Sequence, residues 1–133
     1  TVDMRPFLTG LLNHLSDALG MSEAGINLVQ SYAEIQRDAD DAIPMALFIV
    51  EAVTNAMKYA FEEDGGEVAV HLSLAAEKVI LEIRDTGLGY DSADEDSGLG
   101  SKLMVAFARQ LSAEFTTEAR PGLGCSHKLV MDI

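Results

Sequence analysis

Apolar and polar positions recur along this chain with two different periods, and each change of period marks an element. Phe7, Leu8, Leu11, Leu12, Leu15, Ala18 and Leu19 follow three- and four-residue spacing, which predicts an amphipathic helix. Asp3 is placed to cap it, Pro6 falls in its first turn and Gly20 ends it. From Gly25 to Gln36 the chain is rich in Ile, Val and Tyr and reads as a strand with imperfect alternation. Asp38, Asp40 and Asp41 then form an acidic turn. Asp40 or Asp41 is expected to cap a second helix that tolerates Pro44 in its first turn. That helix is mostly apolar, with Ile43, Leu47, Phe48, Ile49, Val50, Val53, Ala56, Met57 and Phe61 as core candidates, and Glu62 to Gly66 end it.

Period two follows. Val68, Val70, Leu72 and Leu74 alternate with Glu67, Ala69, His71 and Ser73, and Val79, Leu81 and Ile83 alternate with Lys78, Ile80, Glu82 and Arg84. A turn through Ala75, Ala76 and Glu77 makes these an antiparallel hairpin with one buried face. Leu103, Met104, Phe107, Ala108 and Leu111 predict a third helix, opened by Ser97-Gly98-Leu99-Gly100. Phe115 to Ala119 is a short strand, Arg120 to Gly124 a turn, and Cys125, His127, Leu129, Met131 and Ile133 the inward face of a last strand.

Three groups of residues do not fit a purely structural pattern. Within the apolar second helix, Glu51, Thr54, Asn55, Lys58 and Tyr59 fall on one stripe. The stripe is either the wet face of an amphipathic helix or a row of ligands: Glu and Asn offer oxygens to a hard cation, and Lys a point charge to phosphate. Asp85 ends the second hairpin strand on the face of Val79, Leu81 and Ile83, where a carboxylate requires a partner, a turn N–H or a ligand. Two Gly-x-Gly pairs, Gly87/Gly89 and Gly98/Gly100, flank an acidic loop. A glycine-rich helix entry offers free N–H groups and the positive dipole end to phosphate. Neither a Walker loop nor a dinucleotide-binding fingerprint is present.

The chain has 133 residues, 48% hydrophobic and 23% charged, which suits one domain spanning residues 1–133. Its net charge of -13 opposes polyanions, so no nucleic acid and no anionic membrane is expected as a partner. Any nucleotide phosphates would need a metal ion, backbone N–H groups and a few placed cations. A single cysteine, Cys125, cannot form an internal disulfide, and no run of about 18 apolar residues or leader pattern occurs, so a cytoplasmic setting is expected. The first residue is Thr1 rather than Met, which reads as a fragment of a longer protein.

The Glu51–Asn55–Lys58 stripe, the Asp85-Thr86-Gly87-Leu88-Gly89 strand end and the Gly98-Leu99-Gly100 helix start, in that order, resemble the ATP-binding fold shared by gyrase, histidine kinases and mismatch-repair ATPases, the GHKL superfamily. Glu51 to Phe61 looks like the N box of sensor histidine kinases, and Lys58-Tyr59-Ala60-Phe61 is similar to the HWE-like subgroup. The absence of Trp places the chain nearer that subgroup's HisKA-type relatives. The resemblance covers nearly the whole chain. It implies an α+β fold, a two-layer α/β sandwich of the Bergerat type, with a mixed, mostly antiparallel sheet and helices on one face.

It also implies ATP and Mg²⁺ as cofactors and a protein histidine kinase activity in two-component signal transduction. The γ-phosphoryl group would pass to a histidine on a dimerising helical domain outside this chain, with a response regulator downstream. By the same resemblance, Asn55 ligates Mg²⁺, Glu51 holds a water of the metal's shell or acts as the catalytic base, and Lys58 reaches a phosphate. Asp85 accepts from the adenine amine, and Gly87 and Gly89 let backbone lie against the nucleotide. Gly98, Leu99 and Gly100 hold phosphates with Lys102, and Tyr59 lines the site. Cys125 stands near the adenine where such kinases usually carry Thr, so one adenine contact changes chemistry. Two further readings are an anti-sigma-factor-type serine kinase, whose N box is similar, and a degenerate module that binds a response regulator without ATP.

Overall fold

The computed structural model describes residues 1–60, 65–87, 99–120 and 124–133. The elements run β1 (Val2–Asp3), α1 (Met4–Ala18), β2 (Ile26–Tyr32), β3 (Gln36–Arg37), α2 (Ala39–Asn55), β4 (Gly66–Ala75), β5 (Lys78–Asp85), α3 (Leu99–Gln110), β6 (Glu114–Arg120) and β7 (Gly124–Asp132). A five-residue π-helical turn, Ala56–Ala60, continues α2.

Five strands form one mixed sheet in the order β2-β4-β5-β7-β6, and β1 and β3 form a small ladder of their own. β2 and β4 are parallel, because the chain crosses through β3 and α2 between them; the other pairs of the main sheet are antiparallel. Alternation then works as the sequence predicts. Val68, Val70, Leu72, Val79, Leu81, Ile83, Leu129 and Met131 are buried in one cluster with the inward faces of α1, α2 and α3. This is the α+β two-layer arrangement expected, with helices on one face of a mostly antiparallel sheet. The hairpin turn is tighter than the sequence implies. Ala76 and Glu77 alone bridge the strands, at φ of 51° and 62°, left-handed values that a two-residue turn of this twist demands.

Several boundaries and burials differ from expectation. The segment 25–36 is not one strand: β2 stops at Tyr32 and the chain re-forms β3 at Gln36. The residue at the start of α2 is Asp38, not Asp40 or Asp41, and its side chain makes no cap bond; Asp41 instead pairs with Arg37 at 3.0 Å. Arg37 also donates from a guanidinium nitrogen to the Asp132 carbonyl, tying the C-terminal strand to the start of α2. Ile43 and Leu47 are 57% and 43% exposed, and Leu74 and Ile133 lie outside the core as well. In a helix apolar on nearly every side, hydrophobicity cannot say which side turns inward. Phe61 lies outside the described residues.

Candidate functional site

The polar stripe survives for about one turn and is then re-aimed. Glu51, Thr54 and Asn55 are half-buried at the end of α2, while Lys58 falls in the π-turn and is exposed. A π-turn inserts an extra residue into the helical repeat, so Lys58 is rotated out of the row that an uninterrupted α-helix would continue. Single-turn π insertions of this kind are frequent at functional sites. Tyr59 is described by its backbone alone, within this turn.

Asp85 closes β5 opposite Val68 of β4 and Cys125 of β7. One carboxylate oxygen accepts the Gly87 N–H at 3.0 Å, and the Cys125 backbone N–H also donates to it. Burial pushes the Asp85 carboxyl above its ordinary range, and these two N–H groups pull it partly back. The inward carboxylate is therefore met by a turn N–H, that of Gly87, one of the two partners the sequence left open, and by the strand N–H of Cys125. Thr86 anchors the same strand end: its hydroxyl accepts the Glu67 N–H and its own N–H donates to the Glu67 carbonyl. Gly124 lies against this corner at φ +105°, where a Cβ would stand 2.1 Å from the Asp85 carbonyl oxygen.

Behind Cys125 lies a polar group that sequence reasoning did not assemble. His127, 4% exposed, contacts the Thr117 hydroxyl through Nδ1 at 3.0 Å and the Cys125 thiol through Nε2 at 3.6 Å. Burial lowers the His127 pKa to about 4, so the ring is neutral at pH 7. The signal for this group was the β6–β7 register, which sets Thr117 opposite His127 and cannot be read from either strand alone.

The remaining expected residues separate as follows. Gly87 is part of the Asp85 corner. Lys102 is an exposed cation on α3, the helix that packs against α2. Leu99 and Gly100 form the first turn of α3 by their backbone, and Gly89 and Gly98 lie outside the described residues. A shallow concavity of about 340 Å³, lined by Glu82, Arg84, Asp85, Glu118, Gly124, Cys125 and Ser126, adjoins the corner. Glu82, Arg84, Glu118 and Ser126 belong to the sheet face turned away from the helices, so this hollow is not where Asp85's inward side chain leads.

Whether the residues suit a divalent cation is a question of donor chemistry. Among the described residues no three His, Cys, Asp or Glu side chains cluster to form a cage. Glu51 and Asn55, one turn apart and half-buried, supply hard oxygen donors. Mg²⁺ characteristically takes one or two protein oxygens and fills its shell with water and phosphate, so this sparse set fits it.

Comparison with known proteins agrees with the fold and divides on the acceptor. The anti-sigma F factor of Clostridium kluyveri is 23% identical over 116 residues, covering 77% of this chain and 82% of that protein. The serine-protein kinase RsbW of Bacillus cereus is 33% identical over 61 residues, covering 46% of this chain and 38% of that protein. Among solved structures, the blue-light activated histidine kinase of Erythrobacter litoralis EL346 superposes with a TM-score of 0.87 at 19% identity over 98% of this chain. That kinase's histidine kinase domain alone superposes at 0.78 and 21% identity. The chain spans 42% and 62% of those two solved chains. AdeS, a histidine kinase of Acinetobacter baumannii, superposes at 0.78 with 16% identity, covering 98% of this chain and 64% of that one. The histidine kinase-like ATPase domain family matches residues 24–130, from just before β2 to within β7, and this chain belongs to that family.

Proposed function

We propose that this chain binds Mg-ATP and donates the γ-phosphoryl group to a histidine carried on a separate helical domain, as the catalytic part of a two-component sensor kinase. The observation that carries the nucleotide reading is the Asp85 corner. An inward carboxylate, held by the Gly87 and Cys125 N–H groups at the mouth of the sheet, is poised to accept from an exocyclic amine. The histidine reading takes up the shared fold with the blue-light activated histidine kinase, a TM-score of 0.87 at 19% identity, and the Glu51–Phe61 resemblance to a histidine-kinase N box.

In this reading Asp85 selects adenine, because guanine presents a carbonyl where adenine presents an amine. Asn55 and Glu51 would hold Mg²⁺, which supplies charge neutralisation to the phosphates when bound. Glu51 would also take the proton of an incoming acceptor. Lys58, turned outward by the π-turn, and Lys102, on the neighbouring helix, steer and hold the outer phosphates against the chain's own negative charge. The work of the protein is positioning and electrostatics. Calorimetric titration with ADP and with a non-hydrolysable ATP analogue, each with and without Mg²⁺, tests the binding; absence of heat at millimolar nucleotide would overturn it.

A second reading, transfer to a serine of a partner protein, is favoured by the anti-sigma F factor and RsbW among the sequence relatives. The two readings share the nucleotide site and differ in the acceptor. Acid lability of the transferred phosphate separates them.

A further inference from the structure

The two edges of the main sheet are not alike. β6 ends one side and carries Glu114, Glu118 and Arg120. Charges along an edge are a common guard against a further strand. β2 ends the other side, and from Ile26 to Tyr32 it contains no charged residue, no Pro and no Gly.

The backbone of β2 shows which groups face the open edge. Ala33 N–H donates to the Leu72 carbonyl of β4 and the Gly25 carbonyl accepts from Gly66, so odd-numbered residues bond inward to β4. Even-numbered residues therefore point outward. At one end of this outward row, Ile26 N–H is taken by the Met21 carbonyl at 2.8 Å. At the other, the Tyr32 carbonyl accepts from Arg5 Nε at 3.0 Å, and Arg5 is itself paired with Glu34 at 2.8 Å. Between these two plugs the N–H and C=O of Leu28 and Gln30 remain on the edge, and among the described residues β4 is the one strand that pairs with β2.

We infer that β2 is a self-pairing edge, and that two copies of this chain join their sheets through antiparallel β2 strands related by a two-fold axis at Val29. This register is the one that uses the two open residues and leaves both plugs intact. Leu28 then exchanges both bonds with Gln30 of the second copy, and Gln30 with its Leu28. A centre at Leu28 or at Gln30 would instead call on the Ile26 N–H or the Tyr32 carbonyl, which are already engaged by Met21 and Arg5. Val29 becomes a non-hydrogen-bonded pair with itself, at about 4.5 Å between Cα atoms. Asn27 and Ser31, both exposed, come opposite each other on the outer face as an uncharged polar pair. Charge selects the same place. Two chains of net charge -13 repel, and a strand without carboxylates lets them meet without apposing like charges, whereas self-pairing through β6 would bring in Glu114 and Glu118.

Sedimentation velocity of the 133-residue chain across micromolar to hundreds of micromolar, at low and moderate salt, tests this. The expected result is a concentration-dependent doubling of mass, favoured by added salt as the net charges are screened. Val29→Lys, which sets two ammonium groups face to face on the axis, should restore the single mass with an unchanged circular dichroism spectrum. Val29→Cys should give a disulfide-linked dimer on mild oxidation, whereas Leu28→Cys, on the other face and opposite Gln30, should not. A single mass throughout, or a dimer that persists in Val29→Lys, would overturn the proposal. Equal cross-linking at both cysteine positions would overturn the register. A dimer that persists in Val29→Lys also distinguishes a different interface from this one.

Discussion

Asp85 and Cys125 face each other across the β5–β7 ladder, and the Cys125 backbone N–H donates to the Asp85 carboxylate. The contact explains how a carboxylate can end a strand on its buried face. It also opposes two properties of the same group. Burial disfavours the ionised form that an adenine amine would need as acceptor, and two N–H groups restore part of it.

That opposition makes a prediction about Asp85→Asn. The ionised carboxylate is less favourable in the fold than in the unfolded chain, so the neutral amide should raise thermal stability of the nucleotide-free chain at pH 7. The same change should weaken ADP and ATP alike, by roughly ten- to a hundredfold, the worth of about 1.5–3 kcal/mol for a charged hydrogen bond. Melting curves and calorimetric titration of one preparation check both. Wild-type affinity in the variant would remove Asp85 from the adenine site.

Asn55→Ala should separate metal from nucleotide. Asn55 is half-buried one turn from Glu51, and its amide oxygen is a hard donor. Its loss should abolish most of the gain in ADP affinity that Mg²⁺ provides while leaving metal-free binding nearly unchanged. An unchanged Mg²⁺ dependence would return the stripe to a solvated helix face.

His127 should govern an acid limb of stability. Its folded pKa of about 4 lies below the unfolded value of 6.5, so the neutral ring's contribution is complete above pH 6.5. It is lost as pH falls from 6.5 through 4, by about 3 kcal/mol in all. Urea midpoints for wild type and His127→Leu, measured from pH 7 to pH 4, should converge as the pH falls. Parallel profiles would show that another group controls acid unfolding.

How far the sequence could be read depended on the range of the signal. The direction of Asp85 was legible because the alternation of Val79, Leu81 and Ile83 extends to it without interruption. The layers were legible because strand and helix periods separate cleanly along the chain. The π-turn was not: Ala56-Met57-Lys58-Tyr59-Ala60 contains neither Gly nor Pro, and an ordinary helix accommodates it equally well. The exposure of Ile43 and Leu47 was hidden by a helix apolar on most sides, and the Thr117–His127–Cys125 group by a register that only the folded sheet defines. The candidate site was thus readable where it lies within one element and unreadable where two elements meet.

Glycines supply a test of local geometry. Gly124→Ala would place a Cβ 2.1 Å from the Asp85 carbonyl oxygen at φ +105°, and backbone would have to move. The expected loss is on the order of 2–4 kcal/mol, with nucleotide affinity falling alongside as the corner shifts. Gly10→Ala, inside α1 with nothing within 4 Å of the new methyl, should stabilise by about 0.5–1 kcal/mol. Equal effects at the two positions would contradict the backbone described for the Gly124 turn.

The last prediction concerns the acceptor. Phosphoryl transfer needs the attacking atom in line with the γ-phosphate at about 3–3.5 Å. None of the three histidines suits that role. His14 is exposed on α1 among residues with no acceptor pattern, His71 is half-buried on the face of β4 turned away from the helices, and His127 is buried and neutral against Thr117 and Cys125. In the proposed site the nucleotide would lie between α2 and the end of β5, and each of these histidines is fixed within a regular helix or strand. Joining two copies through β2 would not supply an acceptor, because the interface residues Asn27 to Ser31 include no histidine. Labelled ATP incubated with the chain should therefore leave no acid-labile phosphate on it. A helical hairpin bearing an acceptor histidine, added as a second polypeptide, should become labelled slowly, since the effective concentration of a tether is absent. Label that survives acid on a serine-bearing partner, with none on the hairpin, would favour the anti-sigma-type reading. Stoichiometric labelling of the chain itself, lost in His14→Ala, would show that α1 carries the acceptor.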